Sequence, residues 1–188
     1  MSEFKRVGES LVHQGYVWHV AVAEFIAPDG TPFTRDIVRS PGAVGVVPLV
    51  FDAEGNASTV LVKQYRPPYD ADVIEIPAGM RDIAGEDTAE VARRELIEEA
   101  GLIAGNLELL AETYPSPGMT DSVMTIYLAT NCTPTATDRQ GPEEAYMEIL
   151  HLPLVDALAM IDSGEICDAK TVSGLLLAER RLRSADAS

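Results

Sequence analysis

Gly79-Met-Arg-Asp-Ile-Ala-Gly85-Glu86, seven residues, and then Arg94-Glu95-Leu96-Ile97-Glu98-Glu99-Ala100-Gly101-Leu102 form the stretch that decides how this chain is read. Glu95, Glu98 and Glu99 stand at i, i+3 and i+4, so on a helix they project from one face. Like charges placed this way repel and destabilise a bare helix. A divalent cation removes that penalty, and hard ions such as Mg²⁺ take oxygen ligands. The spacing points to a metal site.

The same stretch carries its own helix signals. Asp87-Thr-Ala-Glu90 has the capping-box spacing, with Asp in place of the usual Ser or Thr. The Asp87 side chain is expected to accept from the Glu90 backbone N–H while Glu90 reaches back. Ala89, Ala92, Leu96 and Ala100 recur at helical spacing and supply an apolar face. Gly101 stands where a helix needs a left-handed terminating residue. The spacing predicts a helix over 88–100, and Ile74 to Gly79 ahead of it reads as a short strand running into a loop.

Outside this stretch the signals are weaker. Val17 to Ile26 and Pro32 to Val38 are strand-like, with Ala27-Pro-Asp-Gly30 as a turn between them. Ala43 to Phe51 and Thr59 to Gln64 form an apolar pair joined by a polar turn at 52–56. Met124 to Ala129 and Glu148 to Leu152 read as later strands. Pro153 to Ser163 and Asp168 to Arg183 read as helices, the first ending near Gly164. Strands and helices mixed without a regular βαβ repeat predict an α+β fold. Residues 1–40 are expected to form a small N-terminal β subdomain and 41–188 the main domain.

Composition bounds the function. The 188 residues are long enough to bury a sizeable core, and 46% are hydrophobic. No run approaches transmembrane length and the N-terminus has no signal-peptide pattern, so the expected location is cytoplasmic. A net charge of −16 argues against nucleic-acid or membrane partners held by electrostatics. It leaves room for a phosphate substrate, because bound cations and a few arginines invert the field locally. Cys132 and Cys167 match no metal or redox spacing, and His13, His19 and His151 form no cluster.

The joint pattern of Gly, Glu, Arg-Glu, Glu-Glu and Gly resembles the signature box of the Nudix hydrolases, Gly-x5-Glu-x7-Arg-Glu-U-x-Glu-Glu-x-Gly-U with U aliphatic. Every box position from Glu86 to Leu102 matches. Six residues rather than five separate Gly79 from Glu86, an insertion that leaves the acids' mutual spacing alone. Gln64-Tyr65-Arg66-Pro67, Glu75-Ile-Pro-Ala-Gly79 and Pro115-Ser-Pro-Gly118 resemble the ADP-ribose (ADP-sugar) pyrophosphatase branch. The resemblance implies a mixed sheet sandwiched between helices, and Mg²⁺-dependent hydrolysis of ADP-ribose to AMP and ribose 5-phosphate, with Mn²⁺ as a possible substitute.

It also implies roles. Glu95 and Glu99, helped by Glu98 and the Ala78 carbonyl, are expected to hold metal, and Glu98 is also a candidate catalytic residue. Arg94 is expected to order the loop by pairing with Glu86 or another box acid, since a guanidinium fork suits a site rich in carboxylates. Arg66 is the candidate for a phosphate or ribose contact, and Glu75 for the adenine or ribose end. The general base is sought on the loop holding Glu143 and Glu144, with Glu144 favoured, Glu143 next and Glu148 third. Gly and Pro in that loop suit closure over substrate.

The branch often forms intertwined dimers through the N-terminal β subdomain. Trp18, Phe25 and Phe33 suit such a homodimer contact, or an intramolecular role. In an intertwined dimer Arg35 reaches the other subunit's substrate, and Gly118 is a further candidate substrate contact. Two other functions stay open: action on another nucleotide sugar or dinucleoside polyphosphate, and a non-catalytic nucleotide sensor.

Overall fold

The computed structural model describes residues 3–139 and 145–186 and divides the chain into two compact units. The first contains the N-terminal residues through Gly42 together with Tyr114–Val123. Here β1 (Lys5–Gln14), β2 (His19–Ile26) and β3 (Pro32–Arg39) form an antiparallel meander, β2 in the middle. The β2–β3 turn closes at Gly30, whose N–H donates to the Ala27 carbonyl at 2.9 Å, while Asp29 accepts from the Thr31 N–H. Tyr114–Val123 joins this unit through backbone and side-chain bonds to β3. The Val38 N–H donates to the Met119 carbonyl at 2.9 Å, and the Thr120 hydroxyl donates to the Val38 carbonyl at 2.7 Å. Phe33 packs between Phe4 and Phe25, at 6.0 and 5.3 Å between ring centroids.

The second unit holds the remaining elements. They are β4 (Ala43–Phe51), β5 (Ala57–Arg66), β6 (Ala71–Glu75), β7 (Ala78–Met80), α1 (Thr88–Ala100), β8 (Leu102–Ile103), β9 (Asn106–Thr113), β10 (Met124–Thr130), β11 (Thr133–Pro134), β12 (Glu148–Pro153), α2 (Leu154–Ser163) and α3 (Ala169–Asp186). The main sheet runs β12-β5-β4-β10-β9, with β6 added on β5 and β7 on β4. Only the β4–β10 pairing is parallel among these, so the sheet is mixed.

Alternation along the strands explains the layering. Val44, Val46, Val60, Tyr127 and Ala129 face α1 and pack on Val91, Ala92, Leu96 and Ala100. Their neighbours Val47, Leu49, Leu61, Ile126 and Leu128 face the other way, onto Ala157 of α2 and Leu175 and Ala178 of α3. Successive side chains of a strand point to opposite faces, so a sheet buried on both sides reads as a continuous apolar run. The result is the α+β sandwich of a mixed sheet between helices.

Helix α1 spans Thr88–Ala100, as its spacing predicts. Its cap differs in detail. Asp87 accepts from the Ala89 N–H at 2.8 Å, not from Glu90, and the Glu90 carboxylate lies 3.7 Å from Arg93 instead of reaching back. A short Asp side chain reaches the second helical N–H without the longer reciprocal arm. At the other end Gly101 has φ +62°, and its N–H returns to the Ile97 carbonyl at 3.0 Å. A Cβ there would meet the Thr135 carbonyl at 2.9 Å, a second reason for glycine.

Candidate active site

Two of the box acids are unusual because they are buried: Glu95 is 6% exposed and Glu99 3%. A buried carboxylate demands partners. Glu99 finds one in the β7 backbone, whose Ala78 N–H donates to its Oε2 at 2.8 Å. β7 is held in turn by pairing with β4, and the Val46 N–H donates to the Pro77 carbonyl at 2.9 Å. Glu95 packs against the next residue of the same strand. A Cβ on Gly79 would lie 2.0 Å from Glu95 Oε1, so glycine makes the cradle that admits this carboxylate.

Arg94 binds the acids into a group. Its Nη1 donates to Glu95 Oε1 at 2.7 Å and Glu98 Oε2 at 3.3 Å, and its Nη2 to Glu86 Oε2 at 3.3 Å. Burial opposes the charge on Arg94, but Glu86, Glu95 and Glu98 outweigh it and raise its pKa.

Glu95, Glu98 and Glu99 line a cavity of about 600 Å³, and Arg66, Gln64 and Ala78 line it as well. Among the described residues no three His, Cys, Asp or Glu side chains are already gathered at metal-binding distances, and Arg94 Nη1 contacts both Glu95 and Glu98. The donor chemistry nevertheless fits a hard divalent cation: three carboxylates share a cavity, and the Gly79 cradle seats one of them against the backbone.

On the β5–β6 side the expected substrate residues meet each other. Arg66 donates through Nε and Nη2 to the two carboxylate oxygens of Glu75, at 2.6 and 2.8 Å. Glu75 is 2% exposed and also takes Lys170 Nζ. Burial would raise the Glu75 pKa, but Arg66 and Lys170 outweigh it and hold the carboxyl below its ordinary value. Arg66 therefore faces the cavity with Glu75 behind it.

Other expected residues are placed as follows. Arg35 lies on β3 of the first unit, its guanidinium 4.9 Å from the Phe33 ring centroid. Gly118 belongs to the Tyr114–Val123 segment of that unit. Glu148 is exposed on β12, opposite Lys63 of β5. Glu143 and Glu144 lie outside the described residues. Sequence reasoning missed Lys170, Asp168 and Thr171. The available signal was Asp168 as an N-cap with Thr171 three residues later, which a search confined to the box overlooks.

The NUDIX domain family matches residues 39–172. The chain is 35% identical over 169 residues to an ADP-ribose pyrophosphatase of Bacillus subtilis (strain 168), covering 90% of this chain and 89% of that one. It is 31% identical over 174 residues to an ADP-ribose pyrophosphatase of Mycobacterium tuberculosis (strain ATCC 25618 / H37Rv), covering 93% and 82%. A crystal structure of an ADP compounds hydrolase superposes with a TM-score of 0.83 over 98% of this chain and 97% of its own, at 22% identity, which establishes the shared fold. With a matching domain over most of its length and three of its box acids around one cavity, this chain belongs to the Nudix hydrolase family.

Proposed function

We propose that this enzyme hydrolyses the pyrophosphate bond of ADP-ribose to AMP and ribose 5-phosphate, with Mg²⁺ as its ion and Mn²⁺ as a substitute. The observation that carries the reading is the meeting, in one cavity, of the carboxylates Glu95, Glu98 and Glu99 with the guanidinium of Arg66. The names borne by the Bacillus and Mycobacterium relatives support the choice of substrate.

Pyrophosphate oxyanions repel an attacking water, so hydrolysis needs charge neutralisation, a positioned water and a proton acceptor. A bound divalent ion supplies the neutralisation and acidifies water. Glu95, Glu98, Glu99 and the Ala78 carbonyl are the groups assigned to hold it. Arg66 meets Glu75 through Nε and Nη2, which leaves Nη1 for a phosphate or ribose oxygen. Glu75 serves the adenine or ribose end by holding Arg66. Glu144 is the favoured proton acceptor, ahead of Glu143 and Glu148. In an intertwined dimer Arg35 reaches the other subunit's substrate, and Gly118 is a further substrate contact; the homodimer is cytoplasmic, with residues 1–40 as the dimerising β subdomain and 41–188 as the catalytic domain. Among the described residues no helix is long and apolar enough to cross a membrane.

The test is AMP release from ADP-ribose with Mg²⁺, beside ADP-glucose, NADH, GDP-mannose and diadenosine polyphosphates. Fast, EDTA-sensitive cleavage of ADP-ribose above the others is expected. Preferred cleavage of another compound would replace the substrate, and binding without any cleavage would leave a nucleotide sensor. A monomer mass in light scattering at micromolar concentration would remove the dimer.

A further inference from the structure

Two cations converge on the single buried carboxylate of Glu75. Arg66 forks it from β5, and Lys170 Nζ reaches its Oε2 from the first turn of α3. Lys170 is itself anchored, because Asp168 Oδ2 lies 3.0 Å from Nζ. That same Oδ2 caps α3, accepting from the Thr171 N–H at 3.0 Å and the Thr171 hydroxyl at 2.6 Å. Thr171 Oγ1 then accepts from the Ile76 N–H at 2.8 Å, one residue beyond Glu75. The start of α3 is thus tied to the end of β6 by an ion pair and a buried hydrogen bond.

Charge explains the use of a second cation. An Arg66–Glu75 pair alone presents no net charge to an approaching anion. Lys170 makes the trio net positive, and the charge of Asp168, which also pairs with Lys170, is offset in part by the N–H groups at the start of α3. Geometry adds to this. A carboxylate gripped from two sides holds Arg66 in one orientation, whereas one with a single partner turns with it.

On the reading of Arg66 as a contact for substrate phosphate or ribose oxygens, we infer that Lys170 is a positioning residue. It clamps Glu75 so that Arg66 meets the substrate at a fixed place with its charge only partly cancelled.

The experiment is steady-state kinetics of the full chain on whichever compound of the substrate panel the wild type cleaves best. Lys170→Met and Lys170→Gln are expected to raise KM about tenfold with kcat within about twofold. Lys170→Arg, which keeps the charge, recovers most of the loss. Arg66→Ala raises KM further, and adding Lys170→Met to it changes nothing more, because the lysine acts through the arginine. Circular dichroism and melting establish that each variant is folded, and if Lys170→Met is not, Lys170→Gln beside Lys170→Arg decides.

A folded Lys170 variant with wild-type KM, in a protein where Arg66→Ala raises KM, overturns this inference alone. Full multiplication of the two effects overturns it as well. An unchanged KM in Arg66→Ala overturns the reading of Arg66 and this inference with it. Cleavage of a compound other than ADP-ribose removes only the substrate assignment. If nothing is cleaved, the same pattern is read in Kd by calorimetry with ADP-ribose, and an absence of binding there overturns both.

Discussion

Glu99 and Ala78 are 21 residues apart in the chain, yet the Ala78 backbone N–H donates to Glu99 Oε2 at 2.8 Å. The bond locks the last turns of α1 to β7 and seats a carboxylate at the cavity wall. It separates two roles of one side chain, since an amide oxygen can accept the same backbone N–H but cannot supply a carboxylate's charge to a cation.

Glu99→Gln is therefore expected to keep the fold and lose the chemistry. Turnover should fall at least about a hundredfold, with the melting temperature within a few degrees of wild type. Saturating Mg²⁺ kinetics beside circular dichroism check this. Unchanged turnover would remove Glu99 from the ion's ligands.

Gly79→Ala tests the cradle. The added methyl would overlap Glu95 Oε1, and the group that gives way is the far end of a flexible side chain. The stability change should stay below about 1 kcal/mol, while turnover falls roughly 10- to 100-fold as Glu95 is displaced. Chemical denaturation and kinetics on the same preparation separate the two. A large loss of stability with normal specific activity would show that the backbone moves instead of Glu95.

Glu75→Gln probes the buried ion network and gives it a pH signature. Loss of the carboxylate leaves Arg66 and Lys170 facing each other, so destabilisation of about 1–3 kcal/mol is expected at neutral pH. The folded pKa of Glu75 is depressed below 4.5. Its stabilisation is therefore fully present above the unfolded value and is lost as pH falls through the folded one. The gap between the melting curves of the two proteins should narrow as pH falls from 7 towards 3. A gap that persists unchanged to pH 3 would mean that Glu75 acts through shape and not charge.

On the proposed role of Glu144 as proton acceptor, Glu144→Gln should lower turnover with little change in the Mg²⁺ concentration needed for half activity. The pH–rate profile should lose its acidic limb. If Glu143→Gln produces these effects in its place, the proton acceptor is its neighbour, one residue earlier.

β4, β5, β10, β12 and the three helices were legible because each carries an apolar run or a strong period. β4 and β5 read as apolar runs, and α1 shows spaced alanines with its own cap and stop. β1 and β9 were not legible. β1 is almost wholly exposed and no residue of β9 is buried, so burial imposes no alternation on them. The grouping of Tyr114–Val123 with the N-terminal strands was also invisible, since it depends on bonds between residues about 82 positions apart, as from Thr120 to Val38.

By itself the sequence determined the helix that carries Glu95, Glu98 and Glu99 on one face, because i, i+3 and i+4 spacing is a local property of the backbone. It also determined the family, through the spacing of the box. Only the tertiary structure decided what those acids meet. The Ala78 N–H, the Gly79 cradle and the Lys170–Glu75–Arg66 chain bring together residues 9 to 95 positions apart. Such contacts follow from sheet register and the docking of α3, and no local pattern records which distant partner a buried charge will find.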